Sequence, residues 1–423
     1  MERRTFIKNS VIVTAGSFIA PSIVRGKMTA SNVQLGIIGC GGRGTAVITA
    51  MSKSSNMNII AMADIFEDKL KAKESIYNEL NAAKGLPPIK PANMYQGSDA
   101  FEKLLNNKEI DAVLISSPCY THPEFLEAAI AAGKHVYCEK PVALDVAGVK
   151  RAQKAAKGIT NKSVTIGFQI RYATPYAELI KHIHEGAIGD VVSGQLYYLS
   201  SRNEKVPVIG SSQDELKIRN HFHFREMSGG ILLDQGIHML DVCNWALQDH
   251  PTAAIGDGGR NLPDNFGNNF NHFEVIYKYP KNIRVTMQST QSGNTFGDVC
   301  ARFIGSKGIA EAHYSGGVFI NGENKWDSGV ARDESSVTAE QRAAGVFLSS
   351  LHDSDANKSK SFINSIESGK YINTVNDAAA STLTAILGRQ TAEKKKEISW
   401  EEMNTSNEKI DAHLNLKQFD HKM

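Results

Sequence analysis

Short apolar runs alternate with helically spaced stretches from residue 33 to about residue 160. "VQLGIIG" (33–39), "NIIAMAD" (58–64), "DAVLISSP" (111–118) and "HVYCEKP" (135–141) each read as a strand buried on both faces. Between them, residues 45–53, a stretch opening at Glu67, residues 98–107, residues 122–133 and a stretch opening at Asp145 repeat apolar positions at helical intervals. The proline-containing "AAKGLPPIKPANMYQG" interrupts the alternation and reads as loop. Apolar strands spaced by helices predict a parallel sheet covered on both sides.

After "SVTIGFQ" (163–169) the pattern changes. Strands at 272–279, 283–290, 298–305 and 316–322 follow one another, with "YPKN" and "GSKG" as turns, which predicts an antiparallel sheet. Helices at about 361–367 and 376–395 close the pattern. The expected architecture is α/β: a first domain over 33–160, a second over 161–397 with an open, mostly antiparallel sheet, and a tail over 398–423. At 423 residues, two domains are the natural division.

Composition narrows the function classes. A formal charge of +2 gives no concentrated basic surface for nucleic acid. Past the first thirty residues, no apolar run approaches the length of a membrane span. Cys40, Cys119, Cys138, Cys243 and Cys300 are scattered, lack metal-ligand spacing, and read as small buried hydrophobes. The opening "MERRTFIKNSVIVTAGSFIAPSIV" pairs Arg3-Arg4 with a weakly apolar run, similar to a twin-arginine export signal. It predicts a leader over 1–32 and a periplasmic or otherwise exported protein. Processing, retention or lipid attachment of the leader stays open, because "SIVRGK" makes a poor cleavage site.

"GIIGCGGRGTA" sets Gly39, Gly41 and Gly44 as G-x-G-x-x-G between a strand and a helix. The first glycine permits the tight turn, the second lets backbone approach a pyrophosphate, and the third lets helix pack on strand. With Gly42, the helix start offers unpaired N–H groups to the anion. Asp64 ends the next strand, where a carboxylate accepts from ribose hydroxyls and repels a 2′-phosphate. The expected fold is therefore a Rossmann domain and the expected cofactor NAD, although Arg43 could reach a phosphate.

Ligands of such sheets sit beyond the carboxyl ends of the strands. "SSPCYTH" puts Ser117, Pro118 and His122 there, and "CEKP" puts Glu139 and Lys140 there. A lysine facing the dinucleotide can bond a substrate hydroxyl and steady charge developing on its oxygen. Further on, "GGILLDQGIHMLD" (229–241) lines Asp234, His238 and Asp241 along one face of an apolar helix, a costly arrangement without purpose.

Together, "GCGGRG", "SSPCYTHPEFLEAAIAAGKHVYCEKPVALD" and "GGILLDQGIHMLD" resemble the glucose–fructose oxidoreductase, inositol dehydrogenase and rhizopine-catabolism (Gfo/Idh/MocA) family, over residues 33 to about 397. The resemblance implies a nicotinamide cofactor at the domain junction, a sugar or cyclitol substrate, and homo-oligomers, dimer or tetramer, built on the open sheet. It matches Lys140 to the E-K-P lysine and Asp234 and His238 to the catalytic pair. His238 would be the general base, Asp234 would orient it or hold a sugar hydroxyl, and Asp241 would bond backbone or a supporting partner. Gln169 and Arg171 at a strand end, and His221 and His223 before the double glycine, are candidate cofactor or sugar contacts. No third ligand joins those two histidines, so no metal is expected.

Three functions fit. The first is an NAD-dependent dehydrogenase acting on a ring hydroxyl, with C3 of a glycoside favoured by analogy with exported relatives. The second is an NAD-dependent glycosidase that oxidises C3 transiently; its histidine usually stands in a T-H-G setting, unlike "DQGIHMLD" here. The third is a non-catalytic NAD-bound sugar sensor, against which the retention of Lys140, Asp234 and His238 counts. Export implies a tightly bound NAD, reoxidised in place by a second substrate or an electron acceptor.

Overall fold

The computed structural model describes residues 33–208, 211–262, 264–292, 297–331 and 349–420. The expected leader lies outside the described residues.

Six parallel strands form the first sheet: β1 (Val33–Ile38), β2 (Met57–Asp64), β3 (Met94–Gln96), β4 (Ala112–Ile115), β5 (His135–Cys138) and β6 (Val164–Ile166), in the order β3-β2-β1-β4-β5-β6. The helices α1 (Gly42–Ser54), α2 (Glu67–Ala82), α3 (Ala100–Asn106), α4 (His122–Ala131) and α5 (Val146–Ala156) cross between them. One face buries Leu35, Ile37 and Ile59 with Val47 and Met51, and the other buries Val113 and Ile115 with Leu126 and Val149. The chain order reverses at β1 and β4, which opens the carboxyl ends of those strands as the ligand crevice. Two details depart from the sequence pattern. The proline-containing excursion ends in β3, which pairs with the end of β2. The parallel sheet also takes in β6, so it continues past residue 160.

The second sheet has nine strands in the order β14-β13-β12-β11-β7-β10-β9-β8-β15. They are β7 (Val191–Ser200), β8 (Ala253–Gly259), β9 (His272–Lys278), β10 (Arg284–Gln291), β11 (Asp298–Gly305), β12 (Gly308–His313), β13 (Val318–Gly322), β14 (Trp326–Asp327) and β15 (Ile398–Ser399). Every pair is antiparallel except β7 with β10. Its inner face, with Tyr277, Val285, Met287 and Phe303, packs beneath helices; its outer face leaves Ile255, Ile276 and Ile309 exposed. The Val375–Lys394 helix is buried along almost its whole length between β8, β9, α5 and the Ile237–Leu247 helix. It therefore carries no polar stripe. Its small polar residues bond inward, as Thr382 does to the Ala378 carbonyl.

Residues beyond 397 are not a detached tail. β15 pairs with the edge strand β8, and the chain then returns to the first domain. Asp145 links the two regions: one carboxylate oxygen caps α5 by accepting from Gly148 N at 2.7 Å, and the other accepts from Ile410 N at 2.7 Å. Both donors need that carboxylate. Asp145→Ala should lower the unfolding free energy by about 2 kcal/mol, read from the urea midpoint at unchanged slope.

Candidate active site

The glycine turn is shaped by contact on one side and emptiness on the other. Gly39 has φ +93, and a Cβ there would lie 2.6 Å from Ser117 N. A Cβ at Gly44 would lie 2.7 Å from the Gly39 carbonyl. Gly41 and Gly42, by contrast, face open space, with no atom within 4 Å of a built Cβ. α1 starts at that point with no side chain capping it, so its first N–H groups are free for an anion. Asp64 closes β2; its carboxylate accepts from Cys40 N at 2.8 Å and Phe66 N at 3.0 Å. Burial pushes its pKa up, and those two amides pull the other way. Gly39, Gly41, Gly42, Arg43, Asp64, Ser117, Pro118 and His221 all line one cleft of about 350 Å³. An open glycine turn, a helix start and a carboxylate at the next strand end fit a dinucleotide.

Arg43, though on that lining, is tied back into the protein, whereas Glu139, His122 and Gln169 are not part of the lining. The Arg43 guanidinium is held by Glu139 at 3.1 Å and by both oxygens of Asp355 at 2.8 and 2.9 Å, which leaves it paired to protein rather than phosphate. Lys358, fully buried on the Ser354–Glu367 helix, adds a second cation, 2.8 Å from Asp355 and 3.8 Å from Glu139. Burial alone would push the Glu139 carboxyl up, but Arg43, Lys358 and Lys140 outweigh it and hold it below its ordinary range. Gly167 makes room for this carboxylate, since a Cβ there would lie 2.8 Å from Glu139 Cδ. His122 is a brace: Nδ1 is 2.6 Å from the Pro141 carbonyl and Nε2 is 3.0 Å from the Ser117 carbonyl. Gln169 is half-buried at the head of the short Gln169–Tyr172 turn.

The polar face of residues 229–241 splits three ways. Gly229 and Gly230, both at positive φ, lead into a π turn, Leu232–Gly236, followed by an α-helix, Ile237–Leu247. A π turn inserts one residue and re-aims its side chains, as is common at functional sites. Asp234 meets Lys140: the ammonium donates to the Asp234 carbonyl and lies 3.6 Å from its carboxylate. His238 is buried edge-on to Phe168 and Tyr314, and its Nδ1 has no hydrogen-bond partner among the described residues. Burial, then the positive charges of Lys140, Arg43 and Lys358, push the imidazole well below its ordinary value. Asp241 serves structure, accepting from Arg171 at 2.8 and 2.9 Å and from Ser381 at 2.7 Å. Arg171 thus spans to Asp241 and lies 5.6 Å from the Trp245 ring, instead of facing the cleft.

The two histidines before the double glycine separate. His221 lines the cleft and feels the charges of Asp234 and Lys140, which links the cofactor crevice to the lysine–aspartate pair. His223 turns away against Phe266 and approaches the Glu204 carbonyl at 3.5 Å. Away from the cleft, Cys300, Glu311 and His313 gather within 4.8 Å on the outer sheet face, where Arg302 already pairs with Glu311 and Asp298 with His313.

Two family models match consecutive parts of the chain: an oxidoreductase family with an NAD-binding Rossmann fold over residues 33–168, and the GFO/IDH/MocA C-terminal domain over residues 176–311. The chain belongs to the Gfo/Idh/MocA oxidoreductase family. Its first domain is accordingly NAD-binding. The inositol 2-dehydrogenase of Rhizobium meliloti is 26% identical over 87% of this chain and 99% of its own. The myo-inositol 2-dehydrogenase of Thermotoga maritima is 23% identical over 88% and 99%. Levoglucosan dehydrogenase in complex with NADH and levoglucosan shares the fold at a TM-score of 0.68 and 18% identity, over 87% of this chain and 99% of that one. The aldose–aldose oxidoreductase of Caulobacter crescentus does so at 0.66 and 20%, with the same coverage.

Asp355 and Lys358 are the site residues the sequence pattern passes over. Their signal is a lysine inside the apolar face of a helix, one turn before Phe362 and three residues after Asp355. The glycines give the sharper test. Gly41→Ala should leave stability unchanged within about 0.5 kcal/mol, because its φ of −83 suits alanine, yet weaken NADH binding at least about tenfold. Gly44→Ala should cost about 1–3 kcal/mol of stability through overpacking against the Gly39 carbonyl. Urea unfolding beside a fluorescence titration with NADH separates the two effects.

Proposed function

We propose that the protein oxidises a secondary ring hydroxyl of a sugar, glycoside or cyclitol, with the substrate's C3 on a glycoside as the specific position. The observation that carries the reading is a neutral, buried imidazole one helical turn from an aspartate that grips the E-K-P lysine. His238 takes the hydroxyl proton as the carbonyl forms. Lys140, oriented by the Asp234 carbonyl and carboxylate, donates to the same oxygen and steadies its developing negative charge. Gly41, Gly42 and Asp64 would hold NAD, which would supply the acceptor for the hydride leaving the carbinol carbon. The dehydrogenase names of the relatives support a cyclic polyol as substrate, and the charged grip on Lys140 supports catalysis over mere sensing.

An exported protein has no free NAD pool outside the cytosol, so the reduced cofactor is reoxidised in place by a second substrate or an electron acceptor. The exposed Ile255, Ile276 and Ile309 on the outer sheet face support a homo-oligomer.

Aryl glucosides and inositols, incubated with and without an artificial acceptor, test the reaction class. Ketone formed only with acceptor and without sugar release is the expected result; acceptor-independent release of the aglycone would make the protein a glycosidase. His238→Ala should lower kcat by about 10²–10⁴-fold while NADH still binds. The pH dependence has a definite sign. The base works neutral, and its folded pKa lies well below 6.5, so it stays unprotonated as the pH falls through that value. The acid limb of kcat/KM should therefore fall below pH 6.5, and a limb centred on 6.5 would rule out this buried imidazole as the base.

A further inference from the structure

The cofactor cleft is roofed at one end by the last described residues of the chain. Phe66, two residues past Asp64, joins Ile218, Met227 and Ala412 in a small core of its own, with Leu414, Leu416 and Phe419 packed on it. These side chains come from the end of β2, from the Gln213–Arg219 helix and its neighbourhood, and from the C-terminal segment. The Phe66 ring sits beneath the Arg219 guanidinium at 4.0 Å and meets the edge of Phe419 at 5.2 Å. Arg219 is itself fixed by both oxygens of Asp68, at 2.8 and 2.9 Å.

Polar contacts fasten the segment along its length. Asn415 N and Gln418 Nε2 donate to Asp214 Oδ2 at 3.0 and 2.8 Å. Gln96 Nε2 donates to the Phe419 carbonyl at 2.6 Å. Ser98 donates to Asp420 twice, from N at 2.6 Å and from Oγ at 3.0 Å. Gly97, at φ +108, lets that turn approach, since a Cβ there would lie 2.8 Å from Asp420 Oδ1. Leu416, Ile218 and Arg219 then reach the cleft and line it beside Asp64 and Phe66.

The pyrophosphate turn lies at Gly41 and the lysine–aspartate pair at the other end, so the cleft beyond Asp64 is where the adenosine half of a dinucleotide lies. A flat aromatic base suits walls of phenyl, aliphatic and guanidinium groups. We propose that residues 414–420, together with the Gln213–Arg219 helix, form part of the cofactor site as a strap over the adenosine end, which must detach before NAD(H) can leave. This rests on reading the cleft as the NAD site. Five hydrogen bonds and an apolar underside must open together, so opening is a rare local unfolding, and a nucleotide lying beneath makes it rarer.

The test loads the full-length protein with NADH, desalts it, and chases with excess NAD⁺ while following nicotinamide fluorescence. Slow release is expected from the wild type. A chain ending at Ala412, and the full chain carrying Leu416→Ala with Phe419→Ala, should release at least about tenfold faster, with NADH affinity falling in proportion. Rates within twofold of the wild type, or wild-type release faster than turnover, would overturn the strap while leaving the cofactor site in place. A wild type that binds no NADH overturns both. Should the variants misfold, hydrogen exchange on the wild type decides the matter: amides 415–419 must slow on NADH addition, and unchanged exchange there defeats the proposal.

Discussion

Glu139 is the carboxylate on which the site depends. It lies inside the protein, next in sequence to Lys140, and reaches Arg43 of the glycine turn at 3.1 Å. A buried ion pair adds little net stability, because desolvation consumes most of the attraction, yet it fixes register strictly: removing one partner strands a charge. Here two acids and two bases, Glu139, Asp355, Arg43 and Lys358, close the circle. The glycine turn that takes the cofactor, the loop that carries the lysine and the Ser354–Glu367 helix are therefore held to one another by charge. Displacing any of the three exposes an uncompensated ion to low dielectric.

The same circle sets the state of the histidine. Lys140, Arg43 and Lys358 all oppose a second positive charge at His238, on top of its burial. Only Asp355 among the leading influences favours protonation. In the proposed reaction the base has to be proton-free before substrate arrives, and burial with positive potential favours that state, with no partner on Nδ1 among the described residues. Lys140, in turn, is held in place by the Asp234 carbonyl, which accepts from its ammonium, and by the nearby carboxylate. In the proposed reaction the two would divide the work: the cation would meet the oxygen and the neutral ring the proton.

What the sequence disclosed depended on how local each cause was. The glycine turn, Asp64 and the E-K-P stretch are legible because their chemistry is set by a strand end and the turn after it. Three polar residues on one apolar helix announced a site, but their individual fates needed distant partners. Asp241 belongs to Arg171, seventy positions earlier in the chain, and no pattern in "FQIRY" reveals that. His221 and His223 look equivalent at i and i+2, yet a short turn sends one into the cleft and the other under Phe266. β7, at the heart of the second sheet, escaped notice because "VVSGQLYYLS" is polar on its outer face, and because its parallel partner, β10, lies far along the chain.

The C-terminal segment is the clearest case of long-range logic. Before it reaches the cleft, Glu408 pairs with the buried Arg389 and with Arg225, and Ile410 docks on the cap of α5. The route is therefore anchored in both domains, and only its last residues touch the nucleotide end. Anchoring upstream keeps the free portion short, which lowers the entropy that re-docking must overcome and makes closure fast relative to escape. Linkage then runs both ways: whatever stabilises the docked segment tightens the cofactor, and a bound cofactor tightens the segment by the same free energy. The proposed strap would therefore hold the nicotinamide from one turnover to the next, and each oxidation would then be matched by reduction of another molecule in the same cleft.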